Sequence, residues 1–383
     1  MNFGWPEKSI DEIVKPVKRL EKPIPGKIFR QVGVRLWGQG AYERESIDGI
    51  NTKYKTLNRT EIGDIILNKI WARNGSVSVI LDGLEGCYVS SEFPLFQPDY
   101  EKLEKKWFYW ITKTRWFWHY CDIQSRGTSG KNRIRPEKFL KIRIPIPPLS
   151  EQRRIVSKIE KFAAKINERH KLHQKVQDES YALLRSAFRN LLKDTTWYPM
   201  KDIAPIIRRP VDVNPEEFYP ELGIRSFGKG TFHKKALSGY EVGTKRLYWI
   251  FHGDLVFHNV FSWEGAIAVI GKQDEGRVGS HRFITCVPKK GKATSDFLLF
   301  YFMTPEGLNK IGQASPGGAG RNRTLGLKKL EKIEVPVPPY NKQIWFNNLQ
   351  IKGAQIKKLQ TKATSEIDAL LPSILDRAFK GEL

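Results

Sequence analysis

The tetrapeptide Val337-Pro338-Pro339-Tyr340 comes nearest in this sequence to a catalytic motif. With Asn or Asp in the first position, Pro-Pro-Tyr serves amino-methyltransferases, whose amide or carboxylate accepts a hydrogen bond from the target amino group. A valine offers no acceptor, so that chemistry is excluded. The other pair, Pro147-Pro148, is followed by Leu149, and both pairs read as stiff junctions between a strand and a helix.

Other arrangements fail on spacing. Pro98-Asp99 followed by Glu104-Lys105-Lys106 imitates the acidic pair and lysine of some nucleases, but it is too tight and reads as surface charge. Ser315-Pro316-Gly317-Gly318-Ala319-Gly320 has no Gly-Lys-Ser/Thr to cradle a phosphate, and reads as a loop closely approaching a binding partner or a neighbouring helix. Cys87, Cys121 and Cys286 show no CxxC spacing and no histidine pair that would complete a metal site. Free buried thiols in a reducing cytoplasm follow. His170 and His173 fall on a predicted helix, where packing explains them, and no Ser/His/Asp or Cys/His set has a supporting spacing. No catalytic residue, metal or cofactor is expected in this chain.

Binding is the better expectation. Lys and Arg number 65 against 41 Asp and Glu, a net charge of +24, beyond what solubility requires. The partner is a polyanion, and charge alone leaves DNA and RNA both open. Aromatic residues at 12%, with 11 Trp, place this charge on folded domains rather than a disordered tail. The first residues have no apolar run after their charges, and no stretch approaches the roughly 18 uncharged residues of a membrane span. Cytoplasmic residence is expected.

The elements that present this charge are built from one unit used twice. Gly33-Val34-Arg35-Leu36-Trp37-Gly38-Gln39-Gly40 returns 190 residues later as Gly223-Ile224-Arg225-Ser226-Phe227-Gly228-Lys229-Gly230. The same offset carries Gly63-Asp64-Ile65-Ile66 onto Gly253-Asp254-Leu255-Val256, Gly75 onto Gly265, Ser90 onto Ser280, Phe93 onto Phe283, and Gly130-Lys131-Asn132-Arg133 onto Gly320-Arg321-Asn322-Arg323. After one inserted residue, Ile144-Pro145-Ile146-Pro147-Pro148 pairs with Val335-Pro336-Val337-Pro338-Pro339, and Ala187-Phe188 with Ala378-Phe379. Chance does not hold such a register.

Each copy reads as a mixed α/β (α+β) globule followed by a long helix. The expected segments are a first globule at 1–148, a helix at 149–193, a second globule at 194–339 and a helix at 340–383. Short β-rich runs at 62–70, 77–81 and 247–260 are punctuated by Gly, Asn and Asp. Ser150 is a good N-cap for a helix running to about residue 192. Ile155, Ile159, Phe162, Ile166, Arg169, His173, Val176, Ser180, Leu183 and Ala187 keep the alternating steps of a coiled-coil seam. Over 342–379 the counterpart uses Trp345, Leu349, Ile356, Leu359, Ala363 and Leu370, with Pro372 expected to kink its end. Neither helix can bury its stripe alone, so the two are expected to pair antiparallel, with the globules at opposite ends about a pseudo-twofold axis. A helix of ~40 residues spans ~60 Å, more than one turn of duplex DNA. The run Trp107, Phe108, Tyr109, Trp110, Trp116, Phe117 and Trp118 reads as a helix packed into the first globule, with a docking face as the alternative.

With the duplicated plan, the junction Ile144-Pro145-Ile146-Pro147-Pro148-Leu149-Ser150-Glu151-Gln152-Arg153-Arg154-Ile155 and the ending Ala378-Phe379-Lys380-Gly381-Glu382-Leu383, the chain resembles the specificity subunits of Type I restriction-modification enzymes over nearly its whole length. At the second junction Tyr340-Asn341-Lys342-Gln343 keeps only the glutamine. The resemblance implies two target-recognition domains reading a bipartite DNA sequence and two conserved spacer helices. It implies two docked methyltransferase subunits using S-adenosylmethionine and further restriction/translocase subunits, with cofactors only in those partners. A stand-alone two-headed regulatory or architectural DNA binder is the alternative.

Reading heads must keep a scaffold and vary its contacts, so Asn68-Lys69 opposite His258-Asn259 is the expected signature. The first-globule candidates are Lys69, Arg73, Asn74, Arg126, Thr128, Ser129, Lys131 and Arg133. Those of the second are Arg225, Lys229, His258, Asn259, Arg277, His281, Arg321 and Arg323. Arg and Lys suit guanine edges and phosphates, and Asn suits adenine. Sharing of Asn132-Arg133 with Asn322-Arg323 favours a scaffold or phosphate role for that pair.

Overall fold

The computed structural model describes residues 4–125, 132–317 and 323–383. The chain divides into two compact units, Met1–Gln174 with Gln360–Leu383, and Lys175–Leu359. These limits cut across the four consecutive segments expected from sequence, because each long helix, Leu149–Leu191 and Tyr340–Phe379, is divided between the units.

In the first unit, strands Val14–Val17, Leu95–Pro98, Ile65–Leu67 and Val77–Val79 form an antiparallel sheet in that order. A second sheet of five strands runs Leu20–Glu21, Leu57–Arg59, Tyr88–Val89, Ile28–Val34 and Ala41–Asp48, parallel where Gln31 meets Tyr88. The continuous apolar strand Ile65–Leu67 is buried on both faces. Trp107, Phe108 and Phe117, from helices Trp107–Ile111 and Arg115–Ser125, pack into the same core with Ile155 and Ile159 of the first long helix and Leu375 and Phe379 of the second. Phe379 meets Trp107 edge-on at 4.9 Å. The aromatic run is therefore core.

The second unit repeats this plan. Leu255–His258 lies between Ile267–Val269 and Phe283–Cys286, and Phe218–Ile224 runs parallel to Val278–Ser280 where Glu221 meets Val278, 190 residues beyond the Gln31–Tyr88 pair. Phe188, Phe297, Tyr301, Phe302 and Phe346 fill its core.

Identical bonds hold both frames. Arg19 grips buried Asp64 through two bonds of 2.7 and 3.2 Å, and Arg209 grips Asp254 through two of the same lengths. Burial, the largest influence, still pushes the Asp64 carboxyl above its ordinary range. All three cysteines are buried and free, and burial pushes the Cys121 and Cys286 thiols up, away from thiolate reactivity.

The long helices depart from the expected details. They begin at Leu149 and Tyr340, so Ser150 lies inside the first helix instead of capping it, and the carbonyl of Pro148 accepts from the amides of Glu151 and Gln152. Ile155, Ile159, Ile166, His173, Ser180 and Ala187 lie on the covered stripe, but the alternate positions shift by one residue. Phe162, Val176 and Leu183 are exposed, Arg169 likewise, and Ala163, His170, Gln177 and Leu184 take their places. His170 bonds Asp368 at 3.1 Å and His173 bonds Thr364 at 2.7 Å, an antiparallel pairing within the first unit. On the second helix Trp345, Ile356, Leu359 and Leu370 are exposed, Leu349 and Ala363 are half-buried, and Phe346 is buried. The helix runs through Pro372 to Phe379, and Leu375, Ala378 and Phe379 pack into the first core.

Candidate nucleic-acid interface

The shared frame includes a hairpin loop between the two longest strands of each globule. Trp37 and Phe227 sit there in the left-handed region at φ 58° and 62°, and are 55% and 70% exposed. The backbone is held against this strain. Trp37 N donates to Asn74 O at 2.6 Å and Gly38 N to Gly75 O at 3.1 Å, matched by Phe227 N to Glu264 O at 2.8 Å and Gly228 N to Gly265 O at 3.0 Å. Gly38 must be glycine, since a Cβ would stand 2.9 Å from Lys113 Cα. Exposed aromatics held in a costly conformation at equivalent places mark this loop as functional surface.

The candidate cations lie around this frame. Arg73 stacks on Trp71 at 6.0 Å, and its neighbour Asn74 serves through its carbonyl. Arg225 stacks on Phe232 at 4.9 Å and donates to Thr231 O, and Lys229 lies 5.8 Å from the Phe227 ring. Arg323 stacks on Trp263 at 5.0 Å. His281 is exposed in the turn before Phe283–Cys286. Arg126, Thr128, Ser129, Lys131 and Arg321 lie outside the described residues.

Two candidates in the first unit are already engaged. Arg133 reaches Glu92 at 2.5 Å and Lys69 reaches the same carboxylate at 3.7 Å. Glu92 borders an open cleft of about 610 Å³, lined also by Gln31, Arg44, Asn68, Ser90 and Trp71. At the equivalent positions of the second unit stand Arg282, Glu221, Lys234, His258, Ser280 and Phe261. Glu221 and Lys234 pair at 3.5 Å. Asn259 Oδ1 and Arg277 Nη1 are buried, with no hydrogen-bond partner among the described residues. Such groups are costly unless something satisfies them.

Burial, with Arg282 and Lys234 nearby, lowers the His258 imidazole to about 4. A histidine depressed on folding carries no penalty above about pH 6.5, and destabilises the fold increasingly as pH falls towards 4, where the unfolded chain is protonated first. Replacing His258 by the Asn found at position 68 is expected to remove on the order of 2 kcal/mol of acid destabilisation. Unfolding titrations of both proteins at pH 7 and 4.5 test this, and an unchanged pH dependence would refute it.

Sequence reasoning missed Glu92 and Arg282, although they lie between the matched residues Ser90 and Phe93, Ser280 and Phe283. Differences inside the matched segments were the available signal. It also missed the structural bonds of Arg19, Arg209, Gln152 and Gln343. The apparent nuclease residues are occupied otherwise: Asp99 pairs with Lys102 at 2.9 Å, and Lys106 pairs with Glu160. Among the described residues no group of three or more His, Cys, Asp or Glu could hold a metal, and no helix is long and apolar enough to cross a membrane.

Residues 3–177 match the family model of the Type I restriction modification DNA specificity domain. The Type I restriction enzyme EcoKI specificity subunit of Escherichia coli (strain K12) is 23% identical over 282 residues, covering 66% of this chain but only 60% of that protein. The crystal structure of the HsdS subunit from Thermoanaerobacter tengcongensis is 19% identical, with 99% of this chain and 97% of that one covered at a TM-score of 0.60. A chain from a structure describing complex assembly and conformational transition of the type I R-M system is 18% identical, with 99% and 98% covered at 0.72. At these identities the two structures establish a shared fold.

Proposed function

We propose that this chain is a specificity subunit of the Type I restriction-modification kind, a non-catalytic DNA-binding subunit reading a two-part target, a reading supported by the domain match over residues 3–177 and by the relatives above. One observation carries the reading: the two units share a frame down to individual hydrogen bonds, yet mount different polar side chains on it. Phosphate contacts position a protein on a duplex and base contacts specify the sequence, so one scaffold with two sets of edge chemistry suits two different half-sites. The net charge of +24 supplies the attraction to phosphate. Arg73, Lys229, His281 and Arg323 are phosphate or base contacts in this reading, and Asn259 and Arg277 find their missing partners in DNA.

Catalysis belongs to partners: two methyltransferase subunits using S-adenosylmethionine, and restriction/translocase subunits using ATP and Mg²⁺. Exposed apolar side chains on the long helices, including Phe162, Leu172, Trp345, Ile356 and Leu359, provide docking faces. In this reading the two long helices act as a spacer.

The test combines the chain with its methyltransferase subunits and a duplex library. Methylation is expected at two short sequences separated by an indifferent spacer, and the affinity should fall linearly in log-log form as salt rises, with a slope of about −5 or steeper. Methylation at one continuous sequence, no methylation, or salt-independent binding would overturn the proposal.

A further inference from the structure

The turn that follows the parallel strand is the same in both units down to its bonds. Lys69 N donates to Glu92 O at 3.2 Å, and Asn259 N donates to Arg282 O at 2.8 Å. The amides of Glu92 and Arg282 each lie 3.4 Å from a serine hydroxyl, Ser90 and Ser280. Ile134 N closes on Lys69 O at 2.9 Å, and Leu325 N on Asn259 O at 2.7 Å. Ser-x-x-Phe is shared, and buried hydrophobic clusters lie beneath each turn. On this one backbone the side chain changes from a carboxylate to a guanidinium.

Packing does not call for that inversion, because Glu92 is only part-buried and Arg282 is exposed. The surroundings follow the sign. Glu92 draws in Lys69 and Arg133, whereas among the described residues no carboxylate pairs with Arg282, and its backbone partner Asn259 keeps a buried acceptor unsatisfied. A local charge reversal on a conserved frame, beside an open cleft in the first unit, is what a change of ligand edge demands.

We infer that the position held by Glu92 in the first unit and Arg282 in the second sets which base each head reads, an inference that rests on the DNA-reading function proposed above. A carboxylate only accepts, and so selects the exocyclic amino group of cytosine or adenine; a guanidinium donates twice, and so selects O6 and N7 of guanine. Lys69 and Arg133 hold the first carboxylate in place and neutralise its repulsion of the phosphates. The two heads therefore differ in sign at one equivalent contact.

Binding selection from a duplex library, randomised in both half-sites, tests this with the full chain and its methyltransferase subunits. Wild type should select a cytosine or adenine at one position of one half-site and a guanine in the other. Arg282→Gln should lose its guanine preference about tenfold to a hundredfold at that single position, leaving the other half-site unchanged as an internal control of folding. Glu92→Gln should relax one position in the opposite half-site and, by releasing Lys69 and Arg133, bind random DNA more tightly, with a salt slope steeper by up to about 2. Base preferences identical to wild type, or a uniform weakening across all sequences, would overturn the inference. A wild-type protein that selects no two-part sequence would overturn the reading beneath it as well.

Discussion

Replacing Gln152 by alanine is expected to destabilise the first unit by on the order of 4 kcal/mol. The side chain is wholly buried where the Pro-Pro junction enters the long helix. Its amide donates to Pro147 O at 2.8 Å and Lys102 O at 2.9 Å, and its oxygen accepts from Glu104 N at 2.9 Å. Alanine would strand one backbone donor and two acceptors, each costing about 1–3 kcal/mol before relaxation. Gln343 makes the same three bonds in the second unit, to Pro338 O at 2.8 Å, Lys292 O at 2.9 Å and from Thr294 N at 3.0 Å. Calorimetry of each variant should lower the transition of the altered unit by about 10 °C and leave the other near its wild-type position. A shift below about 2 °C in either case would show that the junction is held by something else. These bonds also explain why the second junction can lose Leu-x-Glu and keep the glutamine: only that residue reaches three backbone groups.

The duplication was readable because it resides in residues whose roles do not depend on partners: glycines with positive φ, the buried Asp64 and Asp254, and the proline junctions. Mixed α/β globules and long helices followed directly. The face of each helix was harder. A heptad count sees Phe162 and Leu183 as apolar, but cannot see that Ala163 and Leu184 stand one residue nearer the partner helix. Binding residues were harder still, because an exposed cation looks the same in sequence whether free or paired. Lys69 and Arg133 both qualified on type, and only coordinates reveal that they converge on Glu92. Acidic residues were passed over in the search for a polyanion contact, which is why Glu92 was missed.

Lengthening both long helices by one heptad is expected to move the preferred DNA spacer by about 3 bp and to weaken binding to the original target a hundredfold or more, since two heads then cannot engage it together. Suitable sites exist: residues 354–359 are exposed on every side, as are residues 174–176 of the first helix, so an insertion there disturbs neither core. Seven residues advance a helix by about 10.5 Å and return its faces to within about 20° of their starting direction, so each head should keep its aim. Duplex DNA behaves differently, because 3 bp adds about 100° of twist at 10–10.5 bp per turn. The lengthened target must therefore be untwisted to meet both heads, and its affinity should recover only in part. Insertion into one helix alone would break the matching of the pair, and is expected to reduce binding at every spacer length. Selection from duplexes that differ only in spacer length distinguishes these cases. An unchanged preference in the doubly lengthened protein would mean that the helices do not set the separation of the heads.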